Sequence, residues 1–221
     1  MTNSAESTTT LSQAIRKSAI GLAIFAFFTA GIISVTQYLT KDTIVNNEKA
    51  FEARLLLSLL PEGFKAEQIL DSAQPLSNDK LLQLDLLHVS KSDVFYRATN
   101  SQGNIEAIIL PVIAPEGYTE SIRLIVGISP QGEIIGVRVT KHRETPGLGD
   151  QVELSKSDWI LNFNGKSLSS PDASLWLVKK DGGEFDQLTG ATITPRAVVK
   201  AVNHSLQFFE LNRAVLLTVE N

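Results

Sequence analysis

The sequence predicts an α+β protein, with one membrane-spanning helix at the N-terminus and a small antiparallel sheet flanked by helices behind it. Three observations carry this. A run of roughly 22 residues, from Ala19 to Thr40, holds no charged side chain. Two strand–turn–strand patterns follow one another between residues 93 and 142. An amphipathic helical pattern starts at Pro195. Hydrophobic residues make up 43% of the 221 positions, enough for one compact domain plus an anchor.

Residues 1–17 read as a polar tail, and residues 18–40 as the membrane span. At 1.5 Å per residue the charge-free run covers roughly 30 Å, the thickness of a hydrocarbon core. Gln37 and Tyr38 suit the interface at its far end. Two rivals are a buried core helix and a cleaved signal peptide. The run is longer than a signal peptide's apolar region, and no A-x-A site follows it. Arg16 and Lys17 precede the span with only Glu6 opposing them, while acidic and basic residues balance after it. The positive-inside bias therefore puts the N-terminus in the cytoplasm and the remainder outside, in the periplasm of a Gram-negative cell. The Ala30-Gly31 step would let a neighbouring helix pack closely.

Residues 41–80 read as stalk and linker. Ile44, Val45, Phe51, Leu55, Leu56 and Leu59 recur at helical spacing up to Pro61, either prolonging the membrane helix or forming a second one. Asp71 to Asp79 is a polar linker. Residues 81–221 form the outer domain. Within it, "DVFYRAT" and "IEAIILPVIA" flank "NSQGN", and "SIRLIVGIS" and "EIIGVRVTKH" flank "PQG", giving two hairpins with Gln-Gly in each turn. The loop "RETPGLGDQVE", a helical stretch "SKSDWILNF" and a strand "SLWLVKK" follow. The last helix puts Val198, Val199, Val202, Leu206 and Phe209 on one face.

Composition narrows the chemistry. The chain has no cysteine, which removes disulfides, cysteine-ligated iron–sulfur clusters and thiol catalysis. His88, His142 and His204 lack ligand spacing, so no metal site is expected. A net charge of −4 argues against nucleic acid. No catalytic residue stands out, and redox chemistry would need an organic cofactor.

"DQLTGATITPRAVVKAV", Asp186 to Val202, sets three threonines around a glycine at a helix mouth. Thr194 reads as the N-cap and Pro195 as the first helical residue. Thr192 then lies just outside the helix, where unpaired N–H groups and the positive dipole end favour a phosphate. Gly190 permits a tight turn, and Ala191 keeps its surroundings small. These residues are equally consistent with an ordinary capped helix, and they name neither the phosphate nor a covalent bond. In "HRETPGLG", Pro146 fixes φ while Gly147 and Gly149 allow close approach, so Thr145, Pro146, Gly147 and Leu148 could lie along a planar ring. A plain strand-to-helix turn would explain the Pro-Gly as well. His142 and Glu144 are weaker candidates. Trp159 and Trp176 could stack on a ring, although core packing accounts for both. Gly117-Tyr118 is another possible wall. Asp186 could position a metal ion or be a solvated turn residue.

Thr189-Gly190-Ala191-Thr192 resembles the S/T-G-A-T motif of the FMN-binding domain family, in which FMN is joined to the last threonine by a phosphoester. With "APEGYTESIRLIVGI", "HRETPGLGDQVE" and "KSDWI", the chain resembles the G subunits of Rnf (Rsx) ion-translocating electron transport complexes from the membrane helix nearly to its C-terminus. That resemblance implies that Thr192 carries FMN, installed by a separate flavin transferase with FAD as donor, as an attachment point and not a nucleophile of catalysis. It implies an electron relay inside a bacterial inner-membrane complex that couples electron flow between NADH and ferredoxin to Na⁺ or H⁺ movement. A charge-free helix offers no ion path, which leaves transport to partner subunits. Two alternatives are the related C subunit of Na⁺-translocating NADH:quinone reductase and a non-redox, membrane-anchored binding or assembly module.

Overall fold

The structure is a computed structural model that describes residues 11–77 and 80–218. The start of the expected tail, two residues of the expected linker and the last three residues lie outside the described residues. The chain divides into two compact units, Met1–Ala50 and Phe51–Asn221.

Helix α1 runs unbroken over Leu11–Leu57, so the helical spacing after the span prolongs the same helix. In the first unit it is long and apolar enough to cross a membrane. Phe25, Phe27, Phe28, Ile32 and Ile33 are all exposed, on several faces of the helix. Two of its hydroxyls are satisfied within the helix. Thr29 donates to the carbonyls of Phe25 and Ala26 at 2.9 and 3.0 Å, and Thr40 to that of Thr36 at 2.8 Å. A polar group in hydrocarbon must find its partner inside the segment in this way.

The second unit is built on a five-stranded antiparallel meander, β1 (Ala73–Pro75), β2 (Val94–Thr99), β3 (Ile105–Ala114), β4 (Ile122–Ile128) and β5 (Ile134–Lys141), in sequence order across the sheet. Both hairpins fall where alternation and Gln-Gly turns place them. Gly103 and Gly132 adopt φ of 84° and 89°, the left-handed geometry such turns require. β1 corrects the reading of Asp71 to Asp79 as linker. Its three residues pair with β2, and Pro75 is tolerated because an edge strand need not donate from every residue. A short helix α2 (Ala66–Asp71) precedes it.

One face of the sheet packs against helix α3 (Ile193–Leu216), whose Val198, Val202, Leu206 and Phe209 are fully buried on Ile108, Leu110, Leu124 and Val126. The other face is covered by Leu56, Leu59 and Ile69 over Tyr96, Ala107 and Ile109. Gly127 and Gly136 face one another across β4 and β5; a Cβ on Gly136 would press on Leu59 Cδ2 at 2.8 Å, while one on Gly127 would only touch that side chain. The two glycines thus leave a socket for that leucine.

Between β5 and α3 no strand or α-helix forms. "SLWLVKK" is not a strand. Trp176 and Val178 are buried and Leu177 is exposed, an alternation that imitates one, yet the backbone makes two short 3-10 turns with only an isolated bridge from Val178 to Phe185. The helical stretch after the Pro-Gly loop also tightens into a 3-10 turn, Asp158–Phe163. This segment is held by an aromatic cluster. Phe163 stacks on Phe185 at 4.8 Å, Trp176 lies 5.0 Å from Phe185, and Trp159 meets Phe163 edge-on at 5.4 Å.

Asn212, buried on α3, accepts from the Leu82 N–H at 2.7 Å and donates to the Leu82 carbonyl at 2.9 Å and that of Phe208 at 2.8 Å. It ties the segment before β2 to the last helix. Asn212→Ala is expected to lose about 1–2 kcal/mol by orphaning these groups, read as a lowered thermal midpoint of the full-length protein. An unchanged midpoint would mean that the Leu82 backbone is held elsewhere.

Candidate functional site

Two tight turns face each other beside the start of α3. In the first, the Leu148 N–H donates to the Thr145 carbonyl at 3.1 Å, with Pro146 and Gly147 between them and Gly147 at φ 76°. In the second, the Ala191 N–H donates to the Leu188 carbonyl at 3.1 Å, with Gly190 at φ 78°. Proline at the second position and a left-handed glycine at the third is the type II signature, and the second turn shares its glycine. A Cβ on Gly190 would also meet Leu148 Cδ2 at 2.6 Å, so this glycine is needed for conformation and for contact between the turns.

Between them lies a cavity of about 300 Å³, lined by Tyr118, Glu144, Thr145, Leu148, Gly149 and the run Gly190 to Thr194. Of the residues expected from sequence, Thr145, Leu148, Gly190, Ala191 and Thr192 therefore line one cavity. Thr189, Pro146 and Gly147 shape the turns but do not line it. Tyr118, Leu148 and Ile193 are exposed, giving the mouth an apolar rim. Gly117 is tied to its own loop, since a Cβ there would collide with the Glu120 carbonyl oxygen.

The helix entrance differs from the expectation. α3 begins at Ile193, so Thr192 is the N-cap and Pro195 the third helical residue. Thr194 is not the cap. It is fully buried, and its hydroxyl donates to the Glu144 carboxylate. Thr192 sits in the αR region at φ −105° and makes no side-chain cap bond, which leaves its hydroxyl uncommitted at the cavity wall. Pro195 removes one backbone donor where a helix start has donors to spare.

Glu144 organises the surroundings. It is 4% exposed, and its other oxygen accepts from the Thr119 N–H at 3.1 Å, so one carboxylate joins the Tyr118 loop, the Thr145 turn and the first turn of α3. Its charge lies against the positive end of the α3 dipole. Gly149 fits between them, because a Cβ there would stand 2.8 Å from Glu144 Oε2 and 2.9 Å from Thr194 Oγ1. Sequence reasoning missed this pair, which spans 50 residues. Its signal was an acidic residue directly before a Pro/Gly turn. On the outer side, Arg196 grips Asp181 with two bonds of 2.6 and 2.8 Å, and that guanidinium holds the Asp181 carboxyl below its ordinary range.

The remaining candidates lie apart from the cavity. Asp186 is exposed and bonded to Lys179 at 2.6 Å, and its carbonyl accepts from Trp159 Nε1 at 2.7 Å. Trp159 and Trp176 belong to the aromatic core. His142 Nδ1 accepts from the Glu144 N–H at 3.0 Å, which directs the Nε2 proton to Glu153 at 2.6 Å. Wider grooves open elsewhere on the domain. Among the described residues, this cavity alone sets an uncommitted threonine hydroxyl at the mouth of a long helix.

The cavity falls inside a region with known relatives. Residues 117–207 match the FMN-binding domain family, and residues 1–59 match the RnfG N-terminal region. The G subunit of the ion-translocating oxidoreductase complex of Pseudomonas aeruginosa (strain UCBPP-PA14) is 44% identical over 204 residues, covering 92% of this chain and 92% of that protein. Those of Vibrio vulnificus (strain YJ016) and Shewanella oneidensis (strain MR-1) are 44% and 42% identical, over 92% and 91% of this chain and 93% and 92% of theirs. Among solved structures, the crystal structure of Shewanella oneidensis NqrC aligns with a TM-score of 0.47 at 20% identity, covering 70% of this chain and 74% of that one. Identity sustained across both the apolar helix and the domain places this chain in the family of ion-translocating oxidoreductase complex G subunits.

Proposed function

We propose that this chain is the FMN-bearing electron-transfer subunit of an ion-translocating oxidoreductase complex, with the flavin joined through its phosphate to the Thr192 hydroxyl. One observation carries the reading. Thr192 caps a 24-residue helix without spending its hydroxyl on the cap, and it opens onto a cavity. The N–H groups of Ile193 and Thr194 and the helix dipole favour a phosphoryl group there. Gly190 lets the turn before it close against Leu148, whose Cδ2 a Cβ would meet at 2.6 Å. The apolar rim of Tyr118, Leu148 and Ile193 suits the flat face of a flavin, and the Thr145 turn lies beside it. When bound, the flavin supplies one- and two-electron chemistry, while the protein places and shields it.

A separate transferase would make the ester: the Thr192 oxygen would attack the flavin-side phosphorus of FAD, breaking the pyrophosphate bond and releasing AMP, with the hydroxyl proton lost. Outside the cytoplasm a covalent bond prevents loss of cofactor by dilution. The chain crosses the bacterial inner membrane once in this reading, with its N-terminus cytoplasmic and the domain of residues 81–221 periplasmic. Ions move through other subunits. The complete protein, coexpressed with a flavin transferase, is expected to show the mass of one added flavin mononucleotide, mapped to the peptide spanning Thr192. A bare peptide in competent cells would refute the assignment. A periplasm-specific reporter fused after Asn221 is expected to be active, whereas activity confined to a cytoplasmic reporter would reverse the topology.

A further inference from the structure

Away from the flavin cavity, a groove of about 640 Å³ runs between the last turns of α1 and strand β5. Arg54, Arg138 and Lys141 line it, and Glu153 is its one carboxylate. That carboxylate is already engaged, by His142 at 2.6 Å and by the Ser155 hydroxyl at 2.9 Å. Burial alone would push Glu153 up, yet these two hydrogen bonds outweigh it and hold the group below its ordinary range, as an anion.

The cations have no such match. Arg138 is partly buried and donates only to the Ser58 hydroxyl and carbonyl, both at 3.0 Å, and to the Val137 carbonyl at 2.9 Å. Burial without a counter-charge pushes its guanidinium down from its usual value. Arg54 and Lys141 are exposed and form no ion pair among the described residues. A chain of net charge −4 thus keeps a locally positive groove with one guanidinium fixed inside it. Holding a partly buried cation unpaired is unfavourable, which points to a counter-charge from another molecule.

We propose that this groove docks an acidic segment of a partner subunit, whose carboxylates pair with Arg54, Arg138 and Lys141. Apolar Phe51, Leu55, Val139 and Leu154 lie beside the cations, so the segment would alternate acidic and apolar side chains. A lipid headgroup fits less well. A headgroup is polar throughout and would leave Phe51, Leu55, Val139 and Leu154 without apolar partners.

The test uses the full-length protein, coexpressed with its complex and carrying a photo-cross-linking benzoylphenylalanine in place of Leu154. Light is expected to join it to one partner subunit, within a peptide bearing Asp or Glu. Reversing two charges, Arg54→Glu with Lys141→Glu, should cut that product at least about tenfold, and raising salt to about 0.5 M should do the same. Neither residue holds another element in place. Flavin fluorescence and the thermal midpoint should therefore stay at the wild-type level, which separates this result from the fate of the flavin reading. An undiminished cross-link in the charge-reversed protein overturns the proposal, as does a captured peptide without carboxylates. So does the absence of any subunit cross-link combined with stabilisation of the wild type, but not the variant, by inorganic phosphate or by phosphatidylglycerol in the micelle. That outcome would assign the groove to a free anion or a lipid.

Discussion

Thr192→Ala, made in the full-length protein and coexpressed with a flavin transferase, is expected to lack the fluorescent band that the proposed ester should give the wild type in a denaturing gel. The effect is all-or-none, because no other uncommitted threonine hydroxyl lies at the helix mouth; Thr145 lines the cavity from the opposite turn. Thr189 is exposed on its turn outside the cavity, and Thr194 is buried and committed to Glu144. Thr189→Ala is accordingly the control and should keep its fluorescence. An N-cap threonine replaced by alanine ordinarily costs about 1 kcal/mol. Thr192 makes no cap bond, so its loss should move stability by less than about 0.5 kcal/mol, or roughly 2 °C in the thermal midpoint of a chain this long. A fluorescent Thr192→Ala protein beside a dark Thr189→Ala protein would show that the wrong threonine has been assigned.

Glu144→Ala should produce the largest loss of stability near the site. It strands the Thr194 hydroxyl, at 0% exposure, and the Thr119 N–H. Removing a charged hydrogen-bond partner from buried donors costs about 3 kcal/mol, which translates into a drop of roughly 6–12 °C. Thr194→Val is expected to destabilise for the opposite reason, by leaving a buried carboxylate short of a donor. The double variant should lose clearly less than the two single losses added together, since each already removes the shared bond. Strict additivity in thermal unfolding of the four proteins would show that the pair is not coupled. Glu144→Ala should also lower the yield of flavin attachment by loosening the turns on either side of Thr192.

Local physics made much of the fold legible. The two hairpins follow from alternation and from glycine at the turn position that needs positive φ, and the span follows from the absence of charge. The buried stripe of α3 follows from its spacing. Long-range effects account for the rest. "SLWLVKK" alternates because Trp176 and Val178 reach an aromatic cluster, while the chain beside it supplies no neighbouring strand to pair with. β1 is too short, and too close to proline, to show in composition. At the helix mouth the error was one of phase. Proline is comfortable anywhere in a first turn, so Pro195 did not say which threonine precedes the first helical residue. Its consequence for the site is small, because the Thr194 hydroxyl is spent in either phase, on Glu144 in place of the cap, and the Thr192 hydroxyl is available in both. The Glu144–Thr194 bond that settles the matter joins residues far apart in sequence, where neither periodicity nor turn chemistry gives warning.

That uncommitted hydroxyl also bears on the order of biosynthetic events. If that hydroxyl is where the proposed ester forms, the helix start does not draw on it for a cap bond, so folding and modification would be separable steps. A modifying enzyme would then recognise a finished surface and not a nascent chain.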